Sequence, residues 1–152
     1  MYRAYLSLGS NLGDREAFLR EAVRRIAALP GTRLLAESSI IETPPWGKTD
    51  QPPFLNMALA IETALPPEAL LARTKRIEDD CGRQRTDKWG PRTLDIDLLI
   101  VEGEARETTA LRLPHAYLTQ RRFVLEPLAE IAPGLVIRGK TVREWLAELL
   151  AR

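Results

Sequence analysis

One cysteine, Cys81, and one histidine, His115, are all that this chain of 152 residues has of either type. A lone cysteine cannot close an internal disulfide, and Cys81 with His115 cannot build a zinc cluster. No apolar run approaches the roughly 20 residues that span a bilayer. The opening Met1-Tyr2-Arg3-Ala4 lacks the apolar core of a secretion signal. An excess of one charge is missing too. Lys and Arg number 22 against 21 Asp and Glu, a net charge of +1, so nothing draws the whole molecule to nucleic acid or anionic lipid. Asparagine is nearly absent and arginine greatly outnumbers lysine, a bias that genome composition or heat adaptation can each produce. The expectation is a cytoplasmic protein with neither nucleic acid nor membrane as partner, and nothing requires more than a monomer.

Apolar residues make up 45% and charged residues 28%, enough apolar side chain to offset the entropy of folding. The length suits one domain covering residues 1–152. Tyr2 to Leu8 alternate as a half-buried strand, then Gly9-Ser10-Asn11 and Gly13 break the pattern. Asp14 caps a helix running to about Leu29, and Pro30-Gly31 stops it. A strand follows from Leu34 to Glu42. The stretch from Thr43 to Phe54 carries four prolines and a glycine, which forbid regular structure. Leu55 to Thr63 is a strand apolar on both sides, and Pro66-Pro67 opens a helix with Leu70, Thr74, Ile77 and Cys81 in one stripe. A basic loop, Arg83 to Arg92, leads into a strand from Leu94 to Val101. Leu111 to Leu113 is a short strand, Phe123 to Ile131 a helix in which Pro127 suggests a break or a new start, and Val136-Ile137 a short edge strand. Thr141 and Glu144 form a capping box for a last helix with Trp145 on its apolar face. This order favours an α+β fold, helices packed on an antiparallel sheet, over a doubly wound one.

The sharpest chemical feature is Asp95-Ile96-Asp97 within the last long strand. Residues two apart share a face, so Leu94, Ile96, Leu98 and Ile100 fill the core side and both carboxylates point the other way. Neighbouring carboxylates repel, and something positive must hold them ionised: a hard divalent cation, or nearby arginines at a sheet surface. Arg83, Arg85, Lys88 and Arg92 precede the pair in a loop punctuated by Gly82, Gly90 and Pro91. A cationic loop beside paired carboxylates is how phosphoryl-transfer sites are built. Gly9 to Asp14 forms either a tight turn or a phosphate cradle, and it lacks the lysine and glycine spacing of a Walker motif. Trp46, Phe54 and Trp89 sit in loops, where they either sandwich a flat heterocycle, with Asn56 bonding its edge, or plug the loops onto the core. His115, with Arg121 following, serves either phosphate or structure. Trp145 and Cys81 read as core.

With these residues assembled, the sequence resembles the 6-hydroxymethyl-7,8-dihydropterin pyrophosphokinases of folate biosynthesis. The resemblance begins at Leu8-Gly9-Ser10-Asn11-Leu12-Gly13 and continues through Thr43-Pro44-Pro45-Trp46-Gly47, Gln51-Pro52 and Phe54-Leu55-Asn56. Its most diagnostic stretch is Trp89-Gly90-Pro91-Arg92-Thr93-Leu94-Asp95-Ile96-Asp97-Leu98-Leu99. Leu113-Pro114-His115 and Arg121-Arg122-Phe123-Val124-Leu125-Glu126-Pro127-Leu128 complete it.

The resemblance implies a ferredoxin-like fold and transfer of the β,γ-pyrophosphoryl group of ATP to the pterin hydroxymethyl oxygen, leaving AMP. It implies that Asp95 and Asp97 bind two Mg²⁺ ions, with Arg83 and Arg92 on the phosphates. ATP, the co-substrate, would be held by Lys75, Glu78, Arg85, Lys88, Trp89, Leu98, Arg112, His115 and Arg121. The pterin would lie between Phe54 and Phe123, lined by Thr43, Pro44, Pro45, Trp46 and Asn56. Four positions depart from the family pattern: Phe54 replaces a frequent tyrosine, Lys75 a neutral amide, Lys88 an arginine, and Ala116 a larger side chain. Two rival readings are a two-metal nucleotidyltransferase, which would release pyrophosphate, and a non-catalytic ferredoxin-like module that grips nucleic acid or another ligand.

Overall fold

The structure, a computed structural model, describes residues 1–44, 52–81 and 93–152. The alternating N-terminal segment forms β1 (Tyr2–Ser10), and Asp14 accepts a hydrogen bond from the Ala17 amide to start α1 (Arg15–Ala27). Then come β2 (Thr32–Glu37), β3 (Ile41–Thr43), β4 (Phe54–Thr63), α2 (Pro67–Asp80) and β5 (Asp95–Val101). The main sheet runs β2-β4-β1-β5, antiparallel throughout, with β3 also pairing β4. Two strand-helix-strand units with this interleaved order make the sheet ferredoxin-like. After β5 the chain adds the hairpin β6 (Arg106–Glu107) and β7 (Arg112–Leu113), a 3-10 turn at Leu118–Gln120, and α3 (Arg122–Ile131). A second hairpin, β8 (Val136–Ile137) and β9 (Lys140–Thr141), leads into α4 (Val142–Leu150).

Both faces of the sheet are covered. Leu6, Leu8, Met57, Leu59, Ile61 and Ile96 pack with Leu19, Ile26, Leu70 and Ile77 of α1 and α2. On the other face Tyr5, Ala58, Ala60, Leu99 and Ile100 pack with Val124, Leu125, Leu128 and Val142 of α3 and α4. This is why β4 reads as apolar on both sides. Cys81 closes the first core, where burial pushes its thiol pKa up and leaves it a poor nucleophile.

Local chemistry departs from the sequence pattern at four places. The strand expected over Leu34 to Glu42 is two strands, because the Ser38 hydroxyl takes a backbone role. The Ser38 amide donates to the Ala58 carbonyl at 2.9 Å, and the Ala58 amide donates to Ser38 Oγ at 2.8 Å. Ser39 then turns away and donates through both its amide and its hydroxyl to the Glu130 carboxylate, at 2.9 and 2.7 Å. Secondly, Pro127 neither breaks nor restarts α3, and its burial offsets the missing amide. Thirdly, Val136-Ile137 pairs with Lys140-Thr141 in its own hairpin and not along the main sheet. Fourthly, Ile100 does not share a side with Ile96 and Leu98. Tyr5 pairs with Ile100 while Leu6 pairs with Leu98, so Leu99 is an extra residue that flips the strand's facing.

The capping box of α4 forms in both directions, with Thr141 Oγ1 accepting from the Glu144 amide at 3.1 Å and Glu144 accepting from the Thr141 amide at 3.0 Å. Trp145 is partly buried, and its indole N–H donates to the Ile137 carbonyl at 2.7 Å, fastening the hairpin to the helix. Thr141→Ala is expected to cost about 1 kcal/mol, read as a lower urea midpoint with unchanged slope.

Candidate active site

Pairing register places the chemistry-bearing residues of three strands in one row. Asn56 of β4 faces Gly9 of β1, and Gly9 faces Asp95 of β5. The next row on the same face is Ala58, Ser7 and Asp97. Strands lie roughly 4.8 Å apart, so Asn56 and Asp95 stand about 10 Å from each other across a glycine. Gly9 thus forms a flat floor with an amide at one border and a carboxylate at the other. A methyl group there would come within 2.9 Å of Asn56 Oδ1 and 3.6 Å of the Phe54 ring. Asn56 is 4% exposed, and its amide donates to Thr43 Oγ1 at 2.7 Å, which fixes the orientation of its carbonyl. Gly9→Ala is expected to displace the Asn56 side chain, a collision to be read as a lower urea midpoint.

The turn after β1 has a structural task. Asn11, fully buried, donates to the Pro52 carbonyl at 3.0 Å, and Arg15 donates to the Pro53 carbonyl at 2.8 Å. Arg15 also lies 3.5 Å from the Glu42 carboxylate. Both stems of the proline-rich segment are therefore tied to the start of α1. Asp14 caps that helix, so the segment from Asn11 to Asp14 joins β1 to α1 as a helix-starting turn.

A cavity of about 500 Å³ wraps the outer edge of β5. One wall is α2, through Leu71, Lys75 and Glu78; the other comprises Thr109 to Arg112 and His115 to Tyr117. Asp95, Ile96, Asp97 and Leu98 form its floor. Glu78 is 5% exposed, and its Oε2 accepts from the Ile96 amide at 2.7 Å, so it fixes the peptide between the two aspartates. On the opposite side the His115 amide donates to the carbonyl of the bulged Leu99 at 2.8 Å. Burial holds the His115 pKa below its usual value; the Asp97 charge opposes that shift, and Arg121 and Arg138 add to it.

Among the residues expected from sequence, the cavity gathers Lys75, Glu78, Asp95, Asp97, Leu98, Arg112 and His115. Arg121 is not among its lining residues, and its guanidinium sits 5.1 Å from the Tyr117 ring centre and 5.7 Å from that of Phe123. Phe54 and Asn56 lie beside Gly9, and Thr43 joins them by pairing with Phe54 and bonding Asn56; Phe123 sits in the first turn of α3, beside the second core and 5.7 Å from the Arg121 guanidinium. Pro44 follows directly after β3. Pro45, Trp46, Arg83, Arg85, Lys88, Trp89 and Arg92 lie outside the described residues. Sequence reasoning missed Leu71 on α2, Tyr117 beside the 3-10 turn, and Thr109 to Leu111, which carry no motif; the last three become wall residues through the β6–β7 hairpin.

The aspartate pair is a donor set of oxygen ligands opening, half-buried, on a cavity that also holds Lys75 and Arg112. Among the described residues no group of three or more His, Cys, Asp or Glu side chains could cage a metal ion. Magnesium needs no such cage, since it takes one or two carboxylates, water and substrate phosphates. The residues therefore fit a magnesium ion shared with a polyphosphate.

The sequence profile of 7,8-dihydro-6-hydroxymethylpterin-pyrophosphokinase matches residues 5–133. The chain belongs to this family. It is similar to the 2-amino-4-hydroxy-6-hydroxymethyldihydropteridine pyrophosphokinase of Methylorubrum extorquens, 55% identical over 149 residues, covering 98% of this chain and 94% of the relative. The enzyme of the same name from Bacillus subtilis is 49% identical over 128 residues, 84% of this chain and 77% of the relative. Among solved structures, a Plasmodium falciparum HPPK-DHPS crystal structure with SDX-DHP superposes with a TM-score of 0.75 at 15% identity, over 100% of this chain and 44% of that one. An HPPK-DHPS structure in complex with substrates gives 0.78 at 13% identity, over 99% of this chain and 46% of that one. This chain thus spans under half the length of those neighbours, and at such identities they show the shared fold of the pyrophosphokinase family. Membership removes both rival readings, the nucleotidyltransferase and the non-catalytic module. Among the described residues no helix is long and apolar enough to cross a membrane.

Proposed function

We infer that this chain transfers a pyrophosphoryl group from ATP to 6-hydroxymethyl-7,8-dihydropterin, a step of folate biosynthesis, with AMP as the second product. The observation that carries the residue assignment is the shared strand: Asp95 and Asp97 border both the glycine-floored area and the cavity along β5. Two substrates bound in these two places meet at the carboxylates.

In this reading ATP lies along the edge of β5, with Lys75, Arg112 and His115 around it and Arg121 near Tyr117 at the rim. The pterin rests on Gly9 between Phe54 and Phe123, its polar edge bonded by Asn56, with Thr43, Pro44, Pro45 and Trp46 completing the enclosure. Asp95 and Asp97 would hold magnesium, which would supply positive charge to the polyphosphate. Arg83 and Arg92, with Arg85, Lys88 and Trp89, would supply the cationic and aromatic contacts to the triphosphate. The hydroxymethyl oxygen forms a bond to the β-phosphorus, and the bond from that phosphorus to the α,β-bridging oxygen breaks. AMP leaves with the bridging oxygen, and the hydroxyl proton passes to solvent, with Asp95 orienting the hydroxyl. Alignment and charge neutralisation supply most of the rate, because the alcohol is a poor nucleophile at neutral pH.

Incubating the protein with ATP, Mg²⁺ and 6-hydroxymethyl-7,8-dihydropterin should yield AMP and pterin pyrophosphate in equal amounts by chromatography. Release of inorganic pyrophosphate with a nucleotide-labelled pterin would overturn the assignment, and unchanged AMP formation in excess EDTA would overturn the magnesium role.

A further inference from the structure

We propose that Arg138 is a positioning residue, holding the Pro114–His115 corner against the nucleotide cavity from outside it; this rests on the reading of that cavity as the ATP site. The two-residue loop between β8 and β9 is Arg138-Gly139, and both residues have positive φ, 47° and 85°. A loop of this kind favours glycine, asparagine or aspartate, and an arginine adopts the left-handed region at a steric cost. What the side chain gains lies at the Pro114–His115 corner. Its Nη2 stands 3.4 Å from the Pro114 carbonyl and 3.4 Å from the His115 carbonyl. The His115 amide is meanwhile fixed to Leu99 of β5 at 2.8 Å. The His115 backbone is thus gripped on one side by the sheet edge and on the other by the hairpin.

The hairpin is a firm support for that grip. The Trp145 indole bonds the Ile137 carbonyl at 2.7 Å, Lys140 lies 4.7 Å from the Trp145 ring centre, and the Lys140 ammonium meets Glu148 at 2.5 Å. His115, Ala116 and Tyr117 are cavity wall, so a shift of this corner changes the shape of the wall directly. The hairpin follows the last residue of the family match, 5–133, so no motif of the shared region announces this contact.

Arg138→Gly separates positioning from folding. It deletes the guanidinium and also relieves the left-handed strain, so the melting temperature should hold or rise. Binding of ATP with Mg²⁺, measured by calorimetry without pterin, should weaken by about tenfold. The KM for ATP should rise in step while the KM for the pterin stays within twofold, and Arg138→Lys should recover part of the loss. Wild-type ATP affinity in Arg138→Gly would overturn the inference alone, as would an equal loss for both substrates. Failure of the wild-type protein to bind ATP, or unchanged ATP binding in His115→Ala, would overturn the underlying assignment of the cavity as well.

Discussion

Replacing Asp97 with alanine should reduce AMP formation on the order of a thousandfold while leaving the fold intact. The carboxylate is half-buried at the end of the sheet, on the face where Ser7 and Ala58 continue its row, and it contributes nothing to either apolar core. Removing one of two neighbouring like charges relieves repulsion, so the melting temperature should stay level or rise slightly. On the proposed function the loss falls in the transition state, where charge spreads over phosphate oxygens and Asp97 would help to hold the cation that neutralises it. Turnover should therefore fall far more than pterin affinity. Asp97→Asn keeps the shape and loses the charge, and should be nearly as inactive. A near-normal rate in either variant, with normal circular dichroism, would refute the role assigned to this side chain.

Glu78→Ala should damage both stability and turnover. Its carboxyl is 5% exposed and takes the Ile96 amide at 2.7 Å on the open side of the edge strand. Alanine leaves that amide buried without this acceptor, a cost of about 1–3 kcal/mol, to be read from urea denaturation. Ile96 lies between Asp95 and Asp97, so release of its peptide lets both carboxylates drift. A displacement on the order of 1 Å lowers kcat by about a hundredfold. Glu78→Gln preserves an acceptor oxygen and should recover most of the stability. Loss of ATP affinity alone, with stability and kcat retained, would contradict the positioning role and favour direct contact with nucleotide.

Much of this was legible in the sequence because period-2 alternation and terminal signals are local. The orientation of Asp95 and Asp97, the Asp14 cap and the Thr141–Glu144 box each follow from residues within one or two turns of each other. What escaped depends on distant partners. Leu99 bulges where β5 meets β1, and no pattern within Leu94 to Val101 marks the skipped residue. Ser38 splits a strand by bonding Ala58, 20 positions away. Pro127 survives inside a helix through burial in the tertiary structure. Glu78, expected to hold ATP, lines the cavity and also accepts from the Ile96 amide, a bond that only the packing of α2 beside β5 reveals. Arg138 drew no notice because it belongs to no motif and its partners are carbonyl groups.

The outer rim of β5 has one further consequence. Glu78 occupies the Ile96 amide and the His115 amide occupies the Leu99 carbonyl, so this margin offers no continuous ladder of vacant donors and acceptors. A sheet protected in that way resists being lengthened by a strand from another copy. Any growth of the main sheet between molecules is thereby directed to the opposite border, formed by β2 and β3, away from Asp95 and Asp97.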